Sequence, residues 1–352
     1  MDNTKLKMII NMACSELTKS GERFRIVKWI KKYIFHENAF SIDYIRWPNG
    51  ILLMGLLSAG DKQTVSDWFD RWIDSGAKIY SVEDMLAGQV LLKLIRNDEE
   101  KYQQAADAMA EYLINHEKDG KGNITYNENK HNYDIYADGI GMICPFLIGY
   151  GIMNKKKELI QEALLQITNF MHEGIDTETG LPFHGFRYEN HEKYGIIGWG
   201  RAVGWLMLGM AESLRLLRSV ENENTDKNYA QCIKMTMDEI GICYGTLCGA
   251  VISHMMSDGM CSWNLCDKSA EIDTSASAMI LLALKKSLPY GHETEAEKMI
   301  TRGTESIKRY ITKNGKVTQC QAECGGFGIY PDKFGSYPWS VGTTLELVSI
   351  TG

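Results

Sequence analysis

The sequence has little proline, no long basic run and no long uninterrupted apolar run. Only six prolines occur among its 352 residues, so long helices can continue without interruption. Apolar residues make up 44 % of the chain, which is enough for a large core, but no apolar run is long enough to cross a bilayer. The formal charge is −7 and lacks a basic cluster, which argues against nucleic-acid binding. We therefore expect a globular protein that binds neither nucleic acid nor membrane.

The sequence also lacks the features of an exported or disulfide-bonded protein. Residues Met1 to Lys7 are mostly polar and lead into a mixed segment, not into the apolar core of a signal peptide. The nine cysteines are odd in number and scattered, unlike a disulfide framework. Three closer pairs lack zinc-knuckle spacing and a following pair of histidines: Cys243 with Cys248, Cys261 with Cys266, and Cys320 with Cys324. We expect a cytoplasmic protein with no metal site.

Helical periodicity covers most of the chain, whereas strand-like alternation is scarce. Apolar residues recur at intervals of three and four, which is typical of amphipathic helices. The pattern predicts helices over residues 6–17, 24–34, 51–57, 66–73, 83–94, 100–115, 139–150, 156–172, 202–217, 229–242, 275–287, 293–311 and 343–350. Pro48 sets the start of the helix at 51. The predicted fold class is all-α.

Loops that contain glycine recur at a regular spacing. Gly120, Gly180, Gly259 and Gly315 each follow a long predicted helix, and glycine supplies the positive φ that such turns need. Gly120 and Gly180 are 60 residues apart, and Gly259 and Gly315 are 56 apart. One sixth of the chain is roughly 59 residues, so about six helical hairpins would use residues 1–352 as one domain. A closed toroid and an open solenoid share this rhythm.

Asp138 lies at the head of an apolar segment, and two interpretations fit it. Aspartate is a favoured N-cap and is stabilised by the helix dipole. A carboxylate at a helix start where water is scarce can instead be a catalytic acid. Asp84 follows the same design, because Glu83 and Asp84 precede another apolar helical segment.

Two later segments combine aromatic side chains with groups that bind sugars or acids. His184 lies between aromatic residues in a predicted loop, where functional residues are common, although a lone histidine is more often structural. Trp199, Arg201 and Trp205 gather at a helix start beside glycines. Tryptophan faces stack on sugar rings, and the arginine fork binds carboxylates. A buried arginine held by cation–π contacts with core tryptophans fits the pattern equally well.

Three segments nearer the C-terminus are less specific. Residues 257–263 form an aromatic loop that ends in Trp263, and residues 271–278 are a polar helix start suited to N-capping. The glycine-rich segment 324–330 has no preceding strand, which argues against a phosphate-binding loop. We expect it to be a loop at the rim of a cleft.

Taken together, these motifs resemble the unsaturated glucuronyl and rhamnogalacturonyl hydrolases, glycoside hydrolase families 88 and 105. The resemblance covers most of the chain from Trp47 onward. Each motif is short, but their order along the chain is specific: Asp138-Gly139 followed by Pro145-Phe146-Leu147, then His184-Gly185, then Trp199-x-Arg201-x3-Trp205, then Asp258-Gly259 with Trp263, and then Thr274-Ser275-Ala276-Ser277-Ala278-Met279.

The resemblance implies an (α/α)6 barrel and an unusual hydrolysis. The substrate would be an oligosaccharide with an unsaturated uronic acid left by a polysaccharide lyase, and the enzyme would hydrate its C4=C5 double bond without a cofactor or metal. Asp138 would be the general acid and base, and Asp84 would be the second acid. The resemblance also implies a set of substrate-binding residues: His184 and Arg201 for hydroxyl and carboxylate groups, and Trp47, Trp199, Trp205 and Trp263 around the sugar.

The sequence departs from the family pattern just before Asp138. Many members carry a histidine in this segment and a tryptophan close to the acid, but here these neighbourhoods read Tyr126-Asn127 and Tyr136-Ala137, with His131 nearby. Two other functions therefore stay open. One is an (α/α)6 enzyme acting on saturated sugars, such as a glycosidase or epimerase, and the other is an inactive carbohydrate-binding relative. The sequence does not distinguish a galacturonyl from a glucuronyl substrate.

Overall fold

The chain alternates between helices of an outer and an inner layer. The computed structural model describes residues 3–33, 45–95, 100–126, 134–187, 189–190, 192–221, 226–289, 291–325 and 328–352, and in the first range it describes side chains to residue 18. The α-helices in these ranges are α1 (Asn3–Tyr33), α2 (Trp47–Ser58), α3 (Lys62–Asp74), α4 (Met85–Leu94), α5 (Glu100–Asn115), α6 (Ala137–Met153), α7 (Lys157–Glu173), α8 (Gly200–Val220), α9 (Lys227–His254), α10 (Thr274–Lys286), α11 (Glu293–Ile307) and α12 (Pro338–Thr351).

The even-numbered helices form a closed inner ring. Each packs against the next, and α12 packs against α2. The odd-numbered helices lie outside, with α1 against α12 and α2, and with α3, α5, α7, α9 and α11 each packed on the inner helix that precedes it. This is an (α/α)6 barrel, so the predicted fold is confirmed. The contact between α2 and α12 decides for a closed toroid and against an open solenoid.

The two layers differ in the distribution of their apolar residues. The inner helices are apolar on nearly all sides, and α6 and α10 bury almost every side chain. The outer helices are amphipathic, and α3 for example buries Val65, Phe69 and Trp72 on one face. This division is expected on physical grounds, because an inner helix has neighbours on every side whereas an outer helix has one face in water.

Glycines allow the ring to close. A Cβ added to Gly55 would lie 2.5 Å from the carbonyl oxygen of Gly342, and a Cβ added to Gly342 would lie 2.5 Å from the carbonyl oxygen of Ile51. Real Cβ atoms do not approach backbone oxygens this closely, so α2 and α12 can pack at this distance only without side chains at these two positions.

Short strands connect the helices at one end of the barrel. β1 (Asp134–Tyr136), β2 (Gly185–Arg187) and β3 (Glu192–Tyr194) form an antiparallel sheet, in which Tyr136 pairs with Gly185 and Gly185 with Tyr194. A second pair joins β4 (Cys320–Gln321) to β5 (Phe334–Gly335). Strands of two or three residues are too short to show the alternation that identifies strands in a sequence, which is why they were not predicted.

Some predicted helix boundaries were wrong. Residues 6–17 and 24–33 belong to one helix, α1, so the break predicted between them does not occur, and residue 34 lies outside the described residues. α2 begins at Trp47, not at 51, because Pro48 occupies the first turn, where its missing N–H needs no partner. α9 is longer than predicted and continues to His254.

A buried group of charged side chains lies between the C-terminal halves of the inner helices. Lys286 Nζ on α10 is 3.0 Å from Glu212 Oε2 on α8 and 2.7 Å from Glu346 Oε1 on α12, and all three side chains are buried. Burial alone would raise the pKa of Glu212, but Lys286, Lys93 and Arg215 hold it well below its usual range. The group therefore stays charged and joins three neighbouring helices at the end of the barrel opposite the strands.

Within the described residues, no helix combines the length and the apolar character needed to cross a membrane.

The tight contact at Gly342 predicts a large effect of one methyl group. Gly342→Ala should lower the free energy of unfolding by about 1–3 kcal/mol, because the new Cβ overlaps the backbone of α2. Gly241→Ala in α9 is the matched control, since its Cβ would meet no atom closer than 4.0 Å and alanine is the better helix former. Denaturant unfolding of both variants measures the difference, and equal stability would contradict the closure argument.

Candidate active site

A cavity of about 300 Å³ opens where the inner helices begin. Every inner helix starts at this end, because each one follows an outer helix that runs the opposite way. Most of the described residues around the cavity are aromatic, acidic or basic, and the full set is Trp47, Glu83, Tyr126, Tyr136, Asp138, Met142, His184, Trp199, Arg201, Trp205, Glu323, Cys324 and Gly325. Most of the sequence-predicted site residues therefore meet in one place, and only Asp84 and Trp263 are not among these lining residues.

Asp138 lies in the first turn of α6 and is not its N-cap. Tyr136 occupies the N-cap position, so the capping interpretation of Asp138 does not hold. The Oδ2 atom of Asp138 is buried and has no hydrogen-bond partner among the described residues. It lies 3.3 Å from His184 Nε2, without the alignment of a hydrogen bond. An uncompensated carboxylate oxygen beside a cavity is costly to maintain, and such costs are common at functional sites.

His184 reaches Asp138 through the small sheet. β1 runs directly into α6 and pairs with β2, and the backbone N–H of Ala137 donates to the carbonyl oxygen of His184 at 3.0 Å. The imidazole is 3 % exposed, and its ring centroid lies 4.4 Å from that of Trp199 and 4.9 Å from that of Tyr136. Its Nδ1 atom is 3.1 Å from the hydroxyl oxygen of Tyr330. Aromatic neighbours and backbone pairing thus hold this ring at the cavity wall.

A second carboxylate faces the cavity, and it belongs to Glu83. The Tyr126 hydroxyl donates to Glu83 Oε1 at 2.8 Å. Burial raises the pKa of Glu83, the Tyr126 hydrogen bond and Arg46 lower it, and the carboxylates of Asp138 and Glu323 raise it further. Glu83 is therefore electrostatically coupled to Asp138 across the cavity.

Asp84 is turned away from the cavity. Its Oδ2 accepts hydrogen bonds from the backbone N–H groups of Tyr80 at 2.8 Å and Ser81 at 3.4 Å, and its buried Oδ1 has no partner among the described residues. Burial raises the pKa of Asp84 to about 8, although the two backbone hydrogen bonds oppose the change. Asp84 thus supports the turn that carries Glu83, and its predicted catalytic role stays a prediction.

Arg201 lines the cavity but already holds several partners. Its NH1 donates to the carbonyl oxygen of Gln321 at 2.9 Å and to Asp273 Oδ2 at 3.3 Å, and its NH2 donates to the carbonyl oxygen of Ala322 at 2.7 Å. The guanidinium also lies 4.7 Å from the ring centroid of Trp199. Arg201 is thus a buried arginine with a cation–π contact. It also borders the cavity, and its predicted binding of a substrate carboxylate stays a prediction.

The tryptophans form one wall of the cavity. The ring centroids of Trp47 and Trp205 are 6.1 Å apart, and those of Trp47 and Trp339 are 4.9 Å apart. Trp199 donates its indole N–H to Gln321 Oε1 at 2.8 Å. Trp263 is not among the lining residues. Its ring centroid lies 6.2 Å from that of Tyr330, and its predicted contact with substrate stays a prediction.

Several lining residues were not predicted from the sequence. Asp84 was predicted as a site residue and Glu83 was not. Successive side chains on a helix differ in direction by about 100°, so the sequence alone did not show which of these two adjacent carboxylates faces the cavity. Cys324 and Gly325 come from the segment predicted as a rim loop, and Glu323 precedes it. Asn127 and His131, from the segment where the sequence departs from the family pattern, lie outside the described residues, as do Gly326 and Phe327 of the rim loop.

The described residues contain no group of three or more histidine, cysteine, aspartate or glutamate side chains arranged to hold a metal ion.

Comparison with known proteins identifies the family. The model of Glycosyl Hydrolase Family 88 matches residues 25–347. The chain belongs to this family. The family 88 protein is thus a glycoside hydrolase, and its fold and cavity can be compared with those of named relatives.

Relatives of the family 88 protein agree in sequence length and in fold. It is 24 % identical over 302 residues to the unsaturated rhamnogalacturonyl hydrolase YesR of Bacillus subtilis, covering 81 % of this chain and 82 % of YesR. A possible GH105 family member from Salmonella enterica superposes with a TM-score of 0.79 at 19 % identity, covering 98 % of this chain and 93 % of that one. For an unsaturated glucuronyl hydrolase from Bacillus sp. GL1, the TM-score is 0.64 at 15 % identity, with 97 % and 96 % covered. At these identities the structural likeness concerns the fold.

The buried carboxyl of Asp84 predicts a pH-dependent stability. Because its folded pKa of about 8 exceeds the unfolded value of about 4, the unfolded state releases a proton that the folded state keeps. The contribution of Asp84 to the free energy of unfolding is therefore complete below about pH 4, and it is lost as the pH rises towards 8. Between pH 5 and pH 7.5, the free energy of unfolding should fall by about 3 kcal/mol less in Asp84→Asn than in the native protein. Thermal unfolding at the two pH values measures this, and the exposed Glu178→Gln is the control. Parallel losses in all three proteins would contradict the burial of a protonated Asp84.

Proposed function

We propose that the protein hydrolyses oligosaccharides that end in an unsaturated uronic acid, by adding water to the C4=C5 double bond. Membership of family 88 and the names of its relatives, an unsaturated rhamnogalacturonyl hydrolase and an unsaturated glucuronyl hydrolase, support this substrate class. The observation that carries the proposal is the buried carboxylate oxygen of Asp138 beside the cavity, which has no hydrogen-bond partner among the described residues. We also propose that residues 1–352 act as one catalytic domain.

Asp138 is the acid and then the base of the proposed reaction. As a carboxylic acid it gives its proton to C4, and positive charge develops at C5 and the ring oxygen. Water attacks C5 while the Asp138 carboxylate takes a proton from it, which restores the acid. The resulting hemiketal opens to a ketone at C5, and the hemiacetal left at C1 releases the neighbouring sugar. One water is consumed and Asp138 returns to its starting state.

The other cavity residues have supporting roles. Glu83 places a second carboxyl group at the cavity, and its charge interacts with that of Asp138. Asp84 accepts backbone hydrogen bonds that hold the turn preceding α4, which carries Glu83. Trp47, Trp199 and Trp205 offer apolar faces to a sugar ring. The N–H groups of Arg201 that remain after its bonds to Asp273, Gln321 and Ala322 can meet the substrate carboxylate.

The charges around the cavity favour a neutral sugar next to the unsaturated residue. Glu83, Asp138 and Glu323 contribute carboxyl groups to the lining, and Arg46 at the mouth lies 3.7 Å from Glu323. A sulfate on the neighbouring sugar would approach these carboxylates and be repelled by them. We propose that the partner sugar is uncharged, as rhamnose is in oligosaccharides from rhamnogalacturonan.

A second candidate is a glycosidase that acts on saturated sugars. The observation in its favour is that two carboxyl groups, Glu83 and Asp138, line one cavity, as displacement at a glycosidic carbon requires. The two chemistries differ in the product. Hydration carried out in D2O adds deuterium to C4 of the uronic acid, whereas displacement leaves the C4–H bonds unchanged.

Removing the acid should abolish turnover. Asp138→Asn keeps the size of the side chain but carries no transferable proton, so kcat should fall by about 100- to 10 000-fold while the folded structure is kept. The loss of ultraviolet absorbance of the conjugated enol-ether acid measures the rate, and circular dichroism checks the fold. Asp238→Asn, at an exposed position of α9, is the control. Native-like turnover by Asp138→Asn would exclude Asp138 as the acid.

A substrate panel tests the proposed substrate class. Unsaturated disaccharides from pectin-degrading lyases and from glycosaminoglycan lyases, with and without sulfate, should rank by the charge of the partner sugar, and the compounds with an uncharged partner should give the highest kcat/KM. A fall of about tenfold or more for each sulfated partner is expected, because an unpaired anion beside carboxylates binds poorly. Preference for a sulfated substrate would refute the charge argument, and no absorbance loss across the panel would refute the hydration itself.

A further inference from the structure

Tyr330 is linked to Asp138 through His184. The Tyr330 hydroxyl oxygen lies 3.1 Å from His184 Nδ1, and His184 Nε2 lies 3.3 Å from Asp138 Oδ2. The same hydroxyl oxygen accepts a hydrogen bond from the backbone N–H of Ile196 at 3.2 Å. Tyr330 is not one of the residues that line the cavity, so any effect on the reaction passes through His184.

The contacts of the Tyr330 hydroxyl favour one tautomer of His184. A phenol has a single hydrogen to donate. The N–H of Ile196 already occupies one acceptor site on the oxygen. The hydroxyl hydrogen is therefore best placed to be donated to His184 Nδ1. Nδ1 is then the acceptor nitrogen of the neutral ring, and the ring hydrogen resides on Nε2. This hydrogen then lies on the nitrogen that is 3.3 Å from Asp138 Oδ2, the oxygen that has no hydrogen-bond partner among the described residues.

The backbone makes room for this contact. Gly195 has φ of +77°, and a Cβ at this position would overlap both the Tyr330 hydroxyl and His184 Cβ. Gly195 directly follows β3, and His184 directly precedes β2, its partner strand. The end of this hairpin is therefore shaped so that the tyrosine can lie against the histidine. The Tyr330 ring also lies 5.4 Å from that of Trp199, which limits its movement.

We propose that Tyr330 is a positioning residue that holds His184 in the Nε2–H tautomer, so that His184 donates to Asp138 whenever Asp138 is ionised. The inference rests on the acid and base roles of Asp138 proposed above. After Asp138 has given its proton to C4, the Nε2–H group stabilises the carboxylate formed, without giving up its own proton. An Nδ1–H tautomer would instead direct a lone pair at the carboxylate and repel it.

Histidine nitrogen NMR tests the tautomer without substrate. In the native protein labelled with 15N-histidine, the His184 signals should show a protonated Nε2 and an unprotonated Nδ1, and His184→Gln assigns them by their loss. In Tyr330→Phe the preference should disappear, with the nitrogen shifts moving towards an average of the two tautomers. A protonated Nδ1 in the native protein would overturn the proposal even if the variant did not fold.

Kinetics give the second measurement. Tyr330→Phe should lower kcat by about tenfold, the effect of losing one orienting hydrogen bond, with little change in KM because Tyr330 does not line the cavity. Tyr150→Phe, which removes a hydroxyl bonded to Asp107 on α5, is the control and should behave as the native protein. An unchanged kcat, or unchanged nitrogen shifts in Tyr330→Phe, would overturn the proposal. Failure of hydration itself would appear as inactivity of the native protein while the tautomer result stands.

Discussion

The contact between α2 and α12 is the constraint on which the site depends. It closes the ring at Gly55 and Gly342, and closure turns six separate helical hairpins into one mouth formed by six helix N-termini. The backbone N–H groups of these first turns carry partial positive charge. They offset the negative charge of the carboxylates gathered there. The site is thus a consequence of helix direction in a closed ring as much as of any single side chain.

The pairing of β1 with β2 positions Asp138 relative to His184, which helix packing alone would not do. Asp138 and His184 are far apart in sequence, yet the pairing of Tyr136 with Gly185 sets them side by side. A shift of one residue in this register would turn the neighbouring side chains to the opposite face. Residues next to a strand end are held by backbone hydrogen bonds, so the distance from imidazole to carboxylate is fixed before substrate binds. Such preorganisation reduces the cost of reaching the reactive geometry.

Much of this architecture could be predicted from the sequence, but the choice between adjacent residues could not. The helical periodicity and the spacing of the glycine loops indicated the correct number of hairpins. The resemblance to a family indicated that the barrel is closed and predicted most of the cavity residues that the sequence analysis named. The sequence pointed to Asp84 where the cavity presents Glu83, because side-chain direction at a helix start depends on the local turn. The contact of Tyr330 with His184 was also missed, since no local sequence pattern encodes a contact between residues so far apart in the chain.

The buried ion pairs of Lys286 with Glu212 and Glu346 lie at the end of the barrel opposite the cavity. These side chains join three inner helices at the far end of the ring, whereas the cavity opens at the end where the inner helices begin. For an enzyme with the proposed activity, only the terminus of a chain can reach Asp138, and the products must leave by the opening through which the substrate came. Such an enzyme shortens its substrates from one end, and its rate follows the number of free ends that a preceding cleavage creates.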